Sequence, residues 1–317
     1  GGREGLAAYS KPKWIAKAKP IADRTAPQAS GDVVSTGFID RTAKLYIGGK
    51  QARPDGGYSR PVLSPAGALV GEVGEGNRKD IRNAVEAARK AAGWGTASEH
   101  NRAQILYYIA ENLEARASEF AERLSAMTGK RKADTAREVA ASVSRLFSYG
   151  AWADKFEGAV HKPPLRGVAL AMNEPLGIIG IACPEELGLL GFVSTFAPAI
   201  AMGNRVVVVP SSAQALAATD FYQVLETSDV PAGVVNIITG DRVALALELA
   251  KHEEVDGLWW FGSATTAGSP AKASAGNLKQ VWAETVNRDW FSPAYGEGTD
   301  FLAKATQVKN IWVPYGE

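Results

Sequence analysis

Residues 175–209, with the sequence PLGIIGIACPEELGLLGFVSTFAPAIAMGNRVVVV, decide the fold. They hold two short apolar runs, Ile178–Cys183 and Val206–Val209, on either side of a helix-length stretch. Three more such runs follow: Val234–Ile238, Leu258–Phe261 and Gln280–Ala283. Apolar runs that alternate with helical stretches are typical of strands buried on both faces in a parallel, doubly wound sheet. We therefore predict an α/β fold that binds ligands beyond the carboxyl ends of its strands.

The region before Pro175 has a different pattern. Apolar residues recur there at the spacing of one helix face in three stretches: Ile81, Ala84, Val85 and Ala88; Leu106, Ile109 and Leu113; Val139, Val143, Leu146 and Gly150. Ser98 or Asn101 could cap the second of these helices. Residues 11–42 contain several Lys and Pro residues but few apolar anchors, which predicts an extended linker.

Composition excludes several classes of protein. The 317 residues, which suggest about two domains, carry 35 Lys and Arg against 34 Asp and Glu, and a net charge of +1 argues against nucleic-acid binding. One cysteine and three histidines make a zinc site improbable, so no metal is expected. The uncharged stretch 187–204 is interrupted by glycines and favours a buried helix over a membrane span. No signal peptide is visible, so a cytoplasmic location is expected, and the first methionine, Met127, suggests a piece of a longer or processed chain.

Several segments resemble the aldehyde dehydrogenase superfamily. Each is weak alone, but their order and spacing are specific and cover most of the chain: LYIGGK at 45–50, MTGK at 127–130, YGAWADK at 149–155, NEPLGIIG at 173–180, APAIAMGN at 197–204 and VPAGVVN at 230–236. The resemblance implies oxidation of aldehydes to carboxylic acids with a nicotinamide coenzyme. In that chemistry a cysteine thiolate attacks the aldehyde, an asparagine stabilises the oxyanion and a glutamate activates water.

The catalytic parts that the resemblance implies are mostly missing. No cysteine follows Cys183, which lies at the end of the first apolar run and is interpreted as a buried apolar residue. The family's P-W-N-F-P reads PEELG here, so Glu186 stands at the asparagine position, and losing such a donor costs roughly 10²–10³ in rate. Glu284 keeps the general-base position and is interpreted as a structural remnant.

The coenzyme positions that the resemblance implies have also changed. The family's K-P-S-E reads VPSS at 209–212, and valine offers no donor to a ribose hydroxyl. Its T-G-S reads FGS at 261–263, after two tryptophans, Trp259 and Trp260, whose rings could fill the coenzyme space. The eroded positions are Val209, Ser212, Phe261, Gly262 and Ser263. We expect no cofactor bound by this chain, with NAD implied for the parent enzyme.

The two ends of the chain resemble each other. Residues 298–312 are similar to the family's last segment, a helix end leading into an intersubunit strand, and so are residues 2–14. We interpret residues 1–16 as the closing segment of a preceding module and 17–42 as a linker. Residues 43–290 then form a Rossmann-like coenzyme-type domain and 291–317 its closing segment, with the catalytic domain absent. This order is most similar to the C-terminal module of the two-module members, family 16.

The resemblance also implies a β-flap used in oligomerisation. Residues 165–173 match its first strand and Val308–Val313 the closing strand. Our first hypothesis is therefore a non-catalytic assembly domain of an NAD-dependent aldehyde dehydrogenase. Its partners would be the preceding catalytic module, a second copy, or both. The alternative is an NAD-binding or active dehydrogenase with a rearranged site that uses Cys183 and Glu284. A truncated active enzyme is disfavoured because a closing strand follows Glu284.

Overall fold

The computed structural model describes residues 14–23 and 40–315. Its strands are β1 (Leu45–Ile47), β2 (Lys50–Ala52), β3 (Ser59–Leu63), β4 (Leu69–Gly74), β5 (Ala159–His161), β6 (Gly167–Pro175), β7 (Ile178–Ala182), β8 (Arg205–Val209), β9 (Val235–Ile237), β10 (Gly257–Phe261), β11 (Gln280–Glu284) and β12 (Thr306–Pro314). Its α-helices are α1 (Arg78–Lys90), α2 (Glu99–Ala115), α3 (Ala117–Thr128), α4 (Lys132–Trp152), α5 (Leu190–Ala201), α6 (Ala215–Asp220), α7 (Tyr222–Glu226), α8 (Arg242–Lys251), α9 (Ala264–Ala273), α10 (Pro293–Gly296) and α11 (Thr299–Lys304).

The central sheet has seven strands in the order β11-β10-β7-β8-β9-β1-β2. The first five are parallel, and β1 and β2 extend the sheet as an antiparallel pair. All five predicted apolar runs are confirmed as strands, with β9 one residue shorter at each end than the run that predicted it. The doubly wound, parallel-rich α/β fold is therefore confirmed.

The side chains of β8 show why its four valines form a buried strand. Val206 and Val208 belong to the core on one face, which includes Phe192 and Phe196 of α5. Val207 and Val209 belong to the core on the other face, formed with α1 and α8. Successive strand residues point to opposite faces, so a strand covered by helices on both sides needs apolar residues at every position.

The helices follow the predicted spacing. The four apolar residues that predict α1 are fully buried, and Asn77 begins that helix through a capping box with Asp80. Ser98 accepts a hydrogen bond from the Asn101 N–H at 3.2 Å, so Ser98 is the cap of α2. All twelve residues of α5 are buried. Among residues 14–23 and 40–315, no helix combines the length and the apolar character that crossing a membrane requires.

The closing segment forms a second sheet with the chain before β7. Strand β12 pairs antiparallel with β6 from Thr306, opposite Pro175, to Pro314, opposite Gly167, and β6 also pairs with β5. This three-stranded unit, called the side sheet below, confirms the predicted pairing of the two strands. Asn204 ties it to the domain, because its side-chain amide donates to the Ala305 carbonyl at 2.8 Å.

Residues Trp14–Asp23, called the strap below, lie against the domain. The Ile21 N–H donates to the Thr285 carbonyl at 2.8 Å, and the Asn287 N–H donates to the Lys19 carbonyl at 2.7 Å. The strap includes residues on both sides of the predicted boundary between residues 16 and 17. Its residues 17–23, predicted to belong to the linker, pair with the residues that follow β11. Of the other predicted linker residues, 40–42 are described, whereas 24–39 lie outside the described residues, as do residues 1–13.

Candidate functional site

A cavity of about 550 Å³ lies at the carboxyl ends of β7, β8 and β10, where the fold class predicts a site. Its walls come from the turns after these strands, from the start of α8, from β3 and from the strap. Four carboxylates and two guanidinium groups line it, a net formal charge of −2: Asp23, Glu185, Glu186 and Asp241; Arg60 and Arg242. The predicted site residues Glu186, Ser212, Phe261 and Ser263 are also in its wall.

Glu185 organises the turns after β7 and β8. Its carboxylate pairs with the Arg242 guanidinium at 2.8 Å. It also accepts hydrogen bonds from the Ser211 hydroxyl at 2.9 Å and from the Ser212 N–H at 3.1 Å. Ser212, predicted above to be an eroded coenzyme position, therefore donates its backbone N–H to a carboxylate of the same chain. No pattern in the sequence marks Glu185 as a site residue.

Arg242 joins the ends of two neighbouring strands. It donates to the carbonyl of Cys183, after β7, at 3.0 Å and to the carbonyl of Phe261, at the end of β10, at 2.7 Å. Its guanidinium also lies 4.6 Å from the centre of the Trp260 ring. No pattern in the sequence marks Arg242, although the N-cap residue Asp241, four residues after the end of β9, indicates the start of α8.

Trp259 and Trp260 lie in the core and not in the wall of the cavity. Both are buried, Trp259 against Trp282 at a ring distance of 5.2 Å, and neither lines the cavity, whereas Phe261 does. Their side chains point to opposite faces of the sheet, and core covers both faces. That the two rings occupy coenzyme space stays a prediction. Gly262 leaves no room for a side chain, because a Cβ there would lie 2.7 Å from the Trp260 ring.

Val209 and Ser263 have different surroundings. Val209 is fully buried in the core beneath α1 and α8, so it does not reach the cavity. Ser263 directly precedes α9, and its hydroxyl donates to the carboxylate of Asp23 in the strap. The Thr265 hydroxyl donates to the same carboxylate at 2.7 Å. These hydrogen bonds lower the pKa of Asp23.

Cys183 is a core residue. Its side chain is 1% exposed, and the Thr195 hydroxyl lies 3.5 Å from its sulfur. Burial raises the pKa of the Cys183 thiol to about 12. A thiol in this environment is neutral at physiological pH, and the neutral form is a poor nucleophile.

The Cys183 thiol is expected to resist alkylation in the native chain. At pH 8 a thiol with a pKa near 12 has roughly one part in 10⁴ as thiolate, and burial excludes the reagent as well. Mass spectrometry after iodoacetamide treatment should show one modification in guanidinium chloride and none in buffer. Native labelling at the rate of an exposed thiol would contradict this placement.

Glu284, at the general-base position, is 4% exposed and pairs with Arg288 at 2.9 Å. Arg288 also pairs with Asp300 at 3.0 Å. Burial raises the pKa of Glu284, and the neighbouring Arg288 charge opposes that shift. Cys183, Glu186 and Glu284 do not converge, because Cys183 faces α5, Glu186 the cavity and Glu284 this ion pair. Among the described residues, no group of three His, Cys, Asp or Glu side chains could hold a metal.

Comparison with known proteins agrees with this architecture. The family model described as the aldehyde dehydrogenase family matches residues 52–289. The chain belongs to the aldehyde dehydrogenase family. It is 32% identical to the 2-hydroxymuconic semialdehyde dehydrogenase of Pseudomonas putida over 75% of this chain and 51% of that protein. It is 30% identical to the betaine aldehyde dehydrogenase of Bacillus subtilis (strain 168) over 75% of this chain and 49% of the relative.

Solved structures of aldehyde dehydrogenases share the fold of this family member. An indole-3-acetaldehyde dehydrogenase superposes with a TM-score of 0.74 at 27% identity, over 79% of this chain and 61% of that one. A betaine aldehyde dehydrogenase of Staphylococcus aureus in complex with NAD⁺ gives 0.72 at 24% identity over 76% and 49%, which shows the fold alone. This aldehyde dehydrogenase family chain spans about half the length of the curated relatives it matches.

Proposed function

We propose that this chain is a non-catalytic module that serves the structure and assembly of a larger NAD-dependent aldehyde dehydrogenase. The observation that carries the proposal is the ion pair between Glu284 and Arg288. A general base must reach the water from which it takes a proton, whereas Glu284 is buried and its carboxylate contacts the Arg288 guanidinium. The only cysteine, Cys183, is buried away from it. Glu284 is therefore interpreted as part of the core.

The cavity also suits NAD poorly. Its net formal charge of −2 repels the diphosphate of a dinucleotide. Glu185 accepts the Ser212 N–H and Asp23 accepts the hydroxyls at the start of α9, so these donors already serve carboxylates of this chain. Val209 is buried and offers no polar group. We propose that the chain binds no cofactor and that the parent enzyme uses NAD in another module.

The side sheet supports the assembly role. The side chains of Val160, Leu170 and Ile311 lie in one row across it, because Leu170 is opposite both of the others. Val160 is 71% exposed, and Val313, on the same face of β12, is 43% exposed. An exposed apolar sheet face next to an unpaired strand edge favours association. We propose that a second copy, the preceding catalytic module or both cover it, as in a two-module, family 16 protein.

The proposal keeps the domain boundaries predicted from the sequence. Residues 43–290 would form the coenzyme-type domain and 291–317 its closing segment, with no catalytic domain between them. Two short helices, α10 and α11, are the only helices that connect β11 with β12 in the described chain. Residues 1–16 would close a preceding module. A cytoplasmic location for the whole protein is part of the same proposal.

The alternative is an NAD-binding or active dehydrogenase with a rearranged site. It requires Cys183 and Glu284 to act on one substrate. The contacts of Cys183 with Thr195 and of Glu284 with Arg288 speak against it.

The chain is expected to show no NAD-dependent oxidation of acetaldehyde or benzaldehyde and no change in Tm with millimolar NAD. Ligand binding to the native state raises the Tm, so an unchanged Tm reports a Kd well above the NAD concentration. Differential scanning fluorimetry checks binding, and absorbance of NADH checks turnover. A complete aldehyde dehydrogenase assayed in parallel serves as the control. A shift of several degrees would contradict the proposal and support the alternative.

A further inference from the structure

We propose that the strap is a built-in latch, through which the chain itself closes the side of its cavity and covers the Glu284–Arg288 pair. Three separate anchors hold the strap, each on a different part of the domain. They are an aromatic contact at Trp14, backbone pairing at residues 19–21 and a carboxylate at Asp23. The occupant of this surface is thus a segment of the same chain.

The first anchor is Trp14. Its ring lies 5.3 Å from that of Tyr295, measured between centroids, and the Arg288 guanidinium lies 4.8 Å from its centre. Tryptophan provides the most favourable ring for a cation–π contact. Trp14 therefore covers the arginine that pairs with Glu284.

The second anchor is the backbone. Pro20 lies opposite Val286 in an antiparallel bridge, flanked by the hydrogen bonds of Ile21 with Thr285 and of Asn287 with Lys19. The strap thus adds an extended segment to the residues that leave β11. Main-chain hydrogen bonds of this kind give affinity to a segment with few apolar side chains.

The third anchor is Asp23. Its carboxylate accepts hydrogen bonds from the Ser263 and Thr265 hydroxyls, at the start of α9. The positive end of the helix dipole favours a negative charge there. The same two hydrogen bonds lower the pKa of Asp23, because they stabilise its ionised form. Ile21 and Asp23 then form one wall of the cavity.

The latch goes beyond the proposed assembly function and does not depend on it. Binding of NAD would contradict the non-catalytic role without releasing the strap. Free exchange of the strap amides would remove the latch without restoring catalysis. The two proposals therefore fail in different experiments.

Hydrogen exchange of the full chain tests the latch. The amides of Ile21 and Asn287 should be protected in the wild-type chain. In D23A and in W14A their exchange should accelerate by roughly two- to fivefold, the scale expected for losing one surface contact. Amides of β7 and β8 serve as the internal reference and should not change. D154A is the matched control, because Asp154 is exposed and bonded only locally to Lys155.

Limited trypsin digestion gives a second measurement. Lys17 lies within the strap, so cleavage after it requires release of the latch. Cleavage should be slow in wild type and D154A, and several-fold faster in D23A and W14A. Unprotected Ile21 and Asn287 amides in the wild-type chain would overturn the proposal. The proposal would also be overturned if the Ile21 and Asn287 amides stayed equally protected from exchange in D23A and W14A.

Discussion

Replacing Arg288 with methionine is expected to lower the free energy of unfolding by about 3–5 kcal/mol at pH 7. The substitution leaves the Glu284 carboxylate, 4% exposed, without its partner. Removing one member of a buried ion pair costs this much because the remaining charge stays out of water. Methionine fills much of the space that Arg288 occupies among Trp282, Trp290 and Phe301. The loss of stability is therefore expected to come mainly from the unpaired charge and less from altered packing.

The pH dependence has a definite sign. Burial raises the pKa of Glu284 in the folded chain above its value of 4.5 in the unfolded chain. Its contribution to stability is therefore fully present below pH 4.5 and is lost as pH rises through the folded-state pKa. Without Arg288 that pKa rises further. The loss in free energy of unfolding caused by Arg288→Met should accordingly be larger at pH 7 than at pH 4.5.

Guanidinium unfolding at the two pH values checks this result. The matched control is the double variant Glu284→Gln with Arg288→Met, which removes the unpaired charge and should recover more than half of the deficit at pH 7. Equal deficits at both pH values, together with no recovery in the double variant, would show that Arg288 stabilises the chain by packing alone.

The second large effect concerns association through the side sheet. Lysine at both Val160 and Val313 is expected to weaken self-association of the chain at least about a hundredfold. Both substitutions place an ammonium on the apolar face that the proposed partner would cover. The wild-type side chains are exposed at 71% and 43%, so the stability of the monomer should change little. Analytical ultracentrifugation over a concentration series measures the effect.

Asn310→Lys is the control for that experiment. Asn310 is an exposed residue of β12 that points to the other face, because it is an odd number of residues from Val313. It adds a charge on the strand without touching the proposed interface. A wild-type chain that stays monomeric at micromolar concentrations would contradict association with a second copy. Equal disruption by Asn310→Lys would contradict the choice of face.

The sequence predicted those parts of the fold that depend on local patterning. Four successive valines, Val206–Val209, predict a central strand because such a strand is buried on both faces. The spacing of apolar residues from Ile81 to Ala88 predicts one buried helix face. The pairing of β6 with β12 followed from resemblance and not from pattern, since β6 begins with six successive apolar residues and nearly all of β12 is exposed.

The parts of the site that escaped prediction depend on contacts between distant segments. Glu185 and Arg242 meet because α8 begins beside the end of β7, and neither residue belongs to a periodic pattern. The docking of the strap uses backbone hydrogen bonds and one carboxylate, which leave no signature in composition. The size of Trp259 and Trp260 does not reveal where their rings lie, since both are buried in the core and neither lines the cavity.

The Arg242 joint between β7 and β10 also limits how this end of the sheet can change. Replacing Glu185 alone would leave the Arg242 cation unpaired, and replacing Arg242 alone would leave the carboxylate unpaired, each in a largely buried position. Any single substitution at the joint is therefore expected to destabilise the chain. Only a coordinated change of both residues would release the Ser212 N–H without leaving an unpaired buried charge.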